Sequence, residues 1–194
     1  LNKFIKKIPK RIILVLDAAY AEYITSSDYE NGMKYVSKYK NIIVTRTFSK
    51  IYGLASLRLG WCYANEEIIE LLDRIRGPFN VNRVAQEAGS IAIAEEDIER
   101  KLVAHNLKWL KTIKLELNKL PLIVYNSQAN FIFIKRNNGI TEKKKLNKYL
   151  LSKSIIIRTL DNYNLPACIR VTIGTESENK MLISAFKSFF KNAK

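Results

Sequence analysis

The sequence holds two cysteines, Cys62 and Cys168, and a single histidine, His105. That scarcity excludes several chemistries. The cysteines lack metal-ligand spacing, and both sit among apolar neighbours, so buried free thiols of a reducing compartment are expected. One histidine beside Asn106, on a long helical stretch, reads as a surface or packing residue. The chain has no Ser-His-Asp set, no metal-ligand cluster and no Walker-type loop. No apolar run approaches membrane-spanning length. Residues 1–11 are interrupted by Lys3, Lys6, Lys7 and Lys10 and lack the apolar centre of a signal peptide, so a cytoplasmic protein is expected.

Acidic residues are also few: 18 against 33 basic ones, a net charge of +15 over 194 residues. A nucleic-acid or anionic-membrane partner is one reading of such a charge. Of the basic residues, however, 23 are lysines scattered along the chain, and Ile, Lys and Asn together supply 65 residues. Compositional bias explains this better, because a dispersed lysine excess is weaker evidence than an arginine stripe. No membrane partner is expected, and nucleic acid is the weaker reading. With 47% hydrophobic residues the chain is globular, long enough for one large domain or two small ones.

What is present is an alternation of strand-like and helix-like stretches. Ile12–Leu16 is a solid apolar run ending at Asp17, which predicts a strand buried on both faces. A second run lies at 41–45 and a third apolar stretch at 57–64. Ile68, Leu71, Leu72 and Ile75 recur at helical spacing behind acidic residues, predicting a helix over 66–75. Small apolar residues over 84–94 predict a tightly packed helix. The next helix, capped by Asp97 and stopped by Pro121, should bury Ile98, Leu102, Leu110, Ile113 and Leu117. Beyond it come a strand at 131–134, a turn at Asn137-Asn138-Gly139, a helix at 143–151 and strands at 155–157 and 169–173. A closing helix over 176–190 carries Met181, Leu182, Ala185, Phe186 and Phe189 on one side. This order predicts an α/β fold: residues 1–104 with a mostly parallel sheet, then a smaller α/β unit over 105–194, the boundary falling inside the long helix.

In α/β sheets, ligands sit outside the carboxyl ends of the strands. Two polar clusters stand there: Asp17-Ala18-Ala19-Tyr20, and Thr45-Arg46-Thr47-Phe48-Ser49-Lys50 followed by Tyr52-Gly53-Leu54-Ala55 and Arg58-Leu59-Gly60. Singly, each residue has a bland explanation: a cap, a turn, one more surface lysine. Jointly they offer an amine, hydroxyls, an arginine, a carboxylate and a phenol. Pyridoxal phosphate needs that set: an amine for its aldehyde, a carboxylate for its pyridine nitrogen, a donor for its ring oxygen, and hydroxyls with a guanidinium for its phosphate.

The stretch Thr45–Ala55 with Leu57-Arg58-Leu59-Gly60 resembles the cofactor-lysine region of histidinol-phosphate aminotransferases. Arg74-Ile75-Arg76-Gly77-Pro78-Phe79-Asn80-Val81-Asn82, Ser127-Gln128-Ala129-Asn130-Phe131 and Ile169–Thr175 match in the same order, so the resemblance covers nearly the whole chain. It implies that Lys50 holds pyridoxal 5'-phosphate covalently and then shuttles the proton. It implies that Asp17 pairs with the pyridine nitrogen, that Tyr20 donates to the ring oxygen, and that Thr47, Ser49 and Arg58 bind the cofactor phosphate. Arg170 and Arg158 would grip the anionic end of the substrate, with Asn130 near the same pocket. The implied reaction converts L-histidinol phosphate and 2-oxoglutarate to imidazole acetol phosphate and glutamate, in histidine biosynthesis, by a cytoplasmic homodimer.

The chain departs from the family at Ala18, where an acidic residue is usual. The resemblance also implies a second half of an enzyme nearly twice as long, whose first half supplies further cofactor contacts. Taken alone, the chain is therefore expected to be poorly soluble and inactive, or to need a complementing partner. The alternatives are a related pyridoxal-phosphate enzyme, such as a threonine-phosphate decarboxylase or an aromatic aminotransferase, and a non-catalytic remnant or basic anion- or nucleic-acid-binding protein.

Overall fold

The computed structural model describes residues 1–136 and 139–192. Its contacts divide the chain into two units, Leu1–Leu102 and Val103–Lys194.

The first unit holds α1 (Asn2–Ile5), β1 (Leu14–Asp17), α2 (Met33–Val36), β2 (Ile42–Thr47), β3 (Gly60–Ala64), α3 (Glu66–Ile75) and α4 (Arg83–Ala94). α5 (Glu96–Leu117) begins here and continues into the second unit. The sheet order is β1-β2-β3, with β1 and β2 parallel and β3 antiparallel to β2. Ile42 and Val44 point into a small core with Ile5, Tyr35 and Val36. α3 has the predicted bounds because Asn65 caps it: the Asn65 side chain accepts the backbone N–H of Glu67 at 3.2 Å. Asn82 caps α4 in the same way, accepting from Ala85 at 2.9 Å.

Several apolar faces in this unit are not covered. β1 is not buried on both faces: Val15 is 53% exposed, and Ile12 and Ile13 are exposed with it. On α3, Leu71 and Ile75 face solvent although their spacing marks an apolar side. Ile98 and Leu102 of α5 are exposed too, whereas Leu110, Ile113 and Leu117 are buried. Periodicity identifies a face suited to burial, but it does not supply the surface that covers it.

The second unit adds β4 (Leu122–Val124), β5 (Phe131–Arg136), α6 (Gly139–Ser152), β6 (Arg158–Thr159), β7 (Cys168–Thr172) and α7 (Glu176–Asn192). Its sheet, β4-β5-β7-β6, is antiparallel throughout. Its core joins Ile113 and Leu117 of α5, Ile132 and Ile134 of β5, Leu146 and Leu150 of α6, and Leu182 and Phe186 of α7. Met181, expected on that side of α7, is exposed instead.

Other expectations need correction. Asp97 does not cap α5, which starts one residue earlier, at Glu96. The strand expected at 155–157 is absent, because those residues follow a helix cap. Ser154 adopts a left-handed φ of 59°, its N–H donates to the Leu151 carbonyl, and the Ile155 N–H donates to the Leu150 carbonyl. Those bonds close α6 as a Schellman motif, and pairing begins only at Arg158. The expected turn at Asn137-Asn138 lies outside the described residues. β4 and α2 were not expected. Cys62 is half-buried rather than buried, whereas Cys168 is buried, and both are free thiols. Among the described residues no helix is long and apolar enough to cross a membrane.

Candidate active site

Parallel pairing of β1 with β2 aligns their carboxyl ends. Asp17 is registered with Thr45, and the Ala18 N–H continues the ladder to the Thr45 carbonyl at 3.0 Å. Asp17 and Tyr20 therefore leave the sheet beside Thr47, Ser49 and Lys50. Asp17 is exposed, not buried, and its Oδ1 accepts the Ala19 N–H at 3.1 Å. That bond turns the chain into the 3₁₀ turn Ala21–Tyr23, with Tyr20 at its start.

After β2 the chain folds back tightly. Thr47 Oγ1 accepts the Ser49 N–H at 3.0 Å. The Leu54 N–H reaches the Phe48 carbonyl at 3.0 Å, and the Gly53 N–H reaches the Lys50 carbonyl at 3.0 Å. The loop is seated by Phe48 and Ile51, both buried. α4 approaches it closely at Gly89, where a Cβ would lie 2.5 Å from Leu59 Cδ2 and 3.5 Å from the Phe48 ring. Lys50 is half-buried, and its Nζ lies 5.3 Å from the centroid of the Tyr20 ring, within cation–π range.

Arg58 joins the same region through the backbone, since the Phe48 N–H donates to the Leu59 carbonyl at 3.1 Å. Its φ is 55°, a left-handed conformation that costs a non-glycine residue about 1 kcal/mol or more. The guanidinium Nη1 donates to the Ala55 carbonyl at 2.7 Å.

A second charged group borders the lysine loop, and the sequence reading did not single it out as a pair. Arg46 Nε lies 3.7 Å from Glu22 Oε1, with only 16% and 8% of the two side chains exposed. The Arg46 guanidinium carbon is 5.8 Å from the centre of the Trp61 ring. Burial raises the Glu22 carboxyl above its ordinary 4.5, against the pull of its own backbone bond and of Arg46. Nearby, Tyr52 Oη donates to Glu99 Oε2 at 3.1 Å, and burial followed by the Glu99 charge pushes this phenol up to about 12. The available signals are an arginine between two threonines in an otherwise apolar strand and a glutamate two positions after Tyr20.

In the second unit, Arg170 lies on β7 and Arg158 on β6, and the two are registered directly opposite one another. The Arg170 guanidinium packs 4.8 Å from the Phe131 ring centroid. Arg158 is exposed, and its Nη2 donates to Tyr163 Oη at 3.1 Å. Asn130 precedes β5, and its carbonyl accepts the Ile173 N–H at 2.8 Å, which ties it to the end of β7. His105, half-buried, bonds the Gly174 carbonyl through Nε2 at 2.8 Å and serves packing.

Chemically, the first unit gathers an amine, a carboxylate, a phenol, two hydroxyls and a guanidinium at one end of a sheet. The second places two arginines at directly opposed positions of another sheet.

Comparison with known proteins gives the context. The chain is 45% identical over 186 residues to the histidinol-phosphate aminotransferase of Maricaulis maris, covering 95% of this chain and 51% of that protein. It is 40% identical over 184 residues to the enzyme of the same name from Rhodopseudomonas palustris, covering 94% and 50%. The chain thus spans about half the length of the curated relatives it matches. The solved histidinol-phosphate aminotransferase of Sinorhizobium meliloti, in complex with pyridoxal-5'-phosphate, superposes with a TM-score of 0.90 at 25% identity, over 99% of this chain and 52% of that one. With residues 1–186 matched by the family "Aminotransferase class I and II", the chain belongs to the class I and II aminotransferases.

Proposed function

We propose that the chain carries the cofactor-lysine region and a substrate-anion region of a pyridoxal-phosphate-dependent aminotransferase. Its substrates in this reading are L-histidinol phosphate and 2-oxoglutarate, in histidine biosynthesis. One observation carries it: Lys50 lies against Tyr20 at the carboxyl ends of two parallel strands, with Asp17 on the neighbouring strand. The names of the relatives support the substrate, and so do the two opposed arginines.

The residues fit the cofactor's chemistry. When bound, its pyridine ring supplies an electron sink for the carbon that loses a proton. Asp17 holds a proton on the pyridine nitrogen, and a ring seated there would itself cover the exposed carboxylate. Tyr20 donates to the ring oxygen. Thr47 and Ser49 offer hydroxyls, and Arg58 a guanidinium, to the phosphate. Lys50 would hold the cofactor's aldehyde end through its amine, and as a free amine it could move a proton at the substrate carbon. Arg158 and Arg170 bind the phosphate of one substrate and the carboxylate of the other, with Asn130 alongside.

In the same reading, residues 1–104 belong to a large cofactor-binding domain and 105–194 to a small one. The assembled enzyme is a cytoplasmic homodimer, which sedimentation and cell fractionation test. Function is tested by co-expressing the chain with the N-terminal half of a relative, to supply the remaining cofactor contacts, adding pyridoxal phosphate and following visible absorbance. A new band that is abolished in Lys50→Ala, and that bleaches on adding histidinol phosphate, is expected. A folded chain with no lysine-dependent band would overturn the reading.

A further inference from the structure

Arg158 stands on a two-residue edge strand and is exposed, so nothing in its own element fixes its side chain. One neighbour does. Tyr163 Oη accepts the Arg158 Nη2–H at 3.1 Å, and the guanidinium carbon lies 5.6 Å from the centre of the same ring. The two contacts act on different parts of the tyrosine, and together they define both the distance and the direction of the guanidinium.

Tyr163 is itself held. It ends the 3₁₀ turn Asp161–Tyr163, and its N–H donates to the carbonyl of buried Leu160 at 3.0 Å. The head of that turn is pinned by a buried lysine: Lys143 Nζ, on a side chain only 3% exposed, donates to both Asp161 carboxylate oxygens at 2.7 Å. The lysine amine is buried and has the half-exposed Asp161 carboxylate as its counter-charge, which ties the turn to α6. Lys143 belongs to α6, which packs its Leu146 and Leu150 into the core of this unit. The path from core to guanidinium is therefore continuous: α6, Lys143, Asp161, the 3₁₀ turn, Tyr163, Arg158.

We infer that Tyr163 is a positioning residue for Arg158, which it holds ready for an anionic group of the substrate. This deepens the proposed function and rests on the reading of Arg158 and Arg170 as an anion site. The hydrogen bond to Tyr163 uses one of the five N–H donors of the guanidinium and leaves the fork for an incoming oxyanion. Pre-ordering one long side chain is worth roughly a threefold to tenfold gain in affinity.

The experiment titrates the chain, co-expressed with the same complementing half, with inorganic phosphate and follows the arginine Nε–Hε resonances by NMR. Four proteins are compared: wild type, Tyr163→Phe, Arg158→Gln and the double variant. Tyr163→Phe keeps the ring and removes only the acceptor at an exposed position, so folding is not at stake. It is expected to weaken phosphate binding about threefold to tenfold. The double variant is expected to bind no more weakly than Arg158→Gln alone, because a residue that acts through Arg158 has nothing left to act on. Wild-type affinity in Tyr163→Phe, or a fully additive loss in the double variant, would overturn the positioning role while leaving the anion site intact. Phosphate binding that is absent, or indifferent to Arg158→Gln, would overturn the anion reading of Arg158 and the positioning role with it.

Discussion

Arg158 and Arg170 face each other across the antiparallel β6–β7 pair. Like charges at directly opposed positions destabilise a sheet, by a few tenths of a kcal/mol to about 1 kcal/mol, and in the proposed function a bound anion offsets that cost. Arg170 packs on Phe131 and Arg158 on Tyr163.

The first prediction follows from that cost. In phosphate-free buffer, Arg158→Gln leaves thermal stability unchanged or raises it slightly, by about 0.5 kcal/mol. In excess histidinol phosphate the order reverses, because the wild type gains ligand stabilisation that the variant largely loses. Paired melting curves with and without ligand check the crossover. A variant that is less stable under both conditions contradicts it.

The Glu22–Arg46 pair should behave as a buried ion pair. Arg46→Met removes the counter-charge from a largely buried carboxyl that burial already raises, so the first unit is expected to lose stability, more at high pH than at low pH. Adding Glu22→Gln to Arg46→Met should restore most of that loss. Urea denaturation of the single and double variants measures both effects.

Asp161 sets a pH dependence. Its hydrogen bonds from Lys143 hold the carboxyl below its ordinary 3.8. A carboxyl depressed on folding contributes stability that is fully present above its unfolded value and is lost as pH falls through the folded value. Stability should therefore decline along an acid limb that begins near 3.8 and extends below it. Asp161→Asn makes that limb shallower without abolishing it, because Glu30, Glu116, Glu176 and Glu178 are depressed as well, and denaturation between about pH 2 and 6 checks the difference.

Core packing gives a control away from the site. Phe186 is fully buried among Ile113, Leu146 and Leu182. Phe186→Ala should cost about 3–5 kcal/mol in the second unit. With pyridoxal phosphate present, the Lys50-dependent absorbance should survive wherever the first unit remains folded.

Much of this was legible in the sequence, for identifiable reasons. α3 is readable because acidic first-turn residues and helical spacing agree at the same ten residues. The Lys50 region was readable because several chemical groups crowd into two short segments at strand ends. β6 was misplaced because Ile155–Ile157 carry strong strand propensity, yet the Ile155 N–H is already committed to closing α6. Lys143 was invisible as a buried residue: in a chain with 23 lysines, only the tertiary fold distinguishes one that meets Asp161. Val15 and Ile75 show the opposite limit, where a correct apolar pattern lies uncovered because pattern alone does not provide the covering surface.

In the proposed function Lys50, one of 23 lysines, takes the cofactor. The direct measurement is to incubate the chain, co-expressed with the complementing half, with pyridoxal phosphate, reduce with borohydride and locate the label by peptide mass spectrometry. At stoichiometric cofactor the label is expected on Lys50, with Lys50→Ala unlabelled. Label spread over surface lysines, or unchanged in Lys50→Ala, would contradict the account.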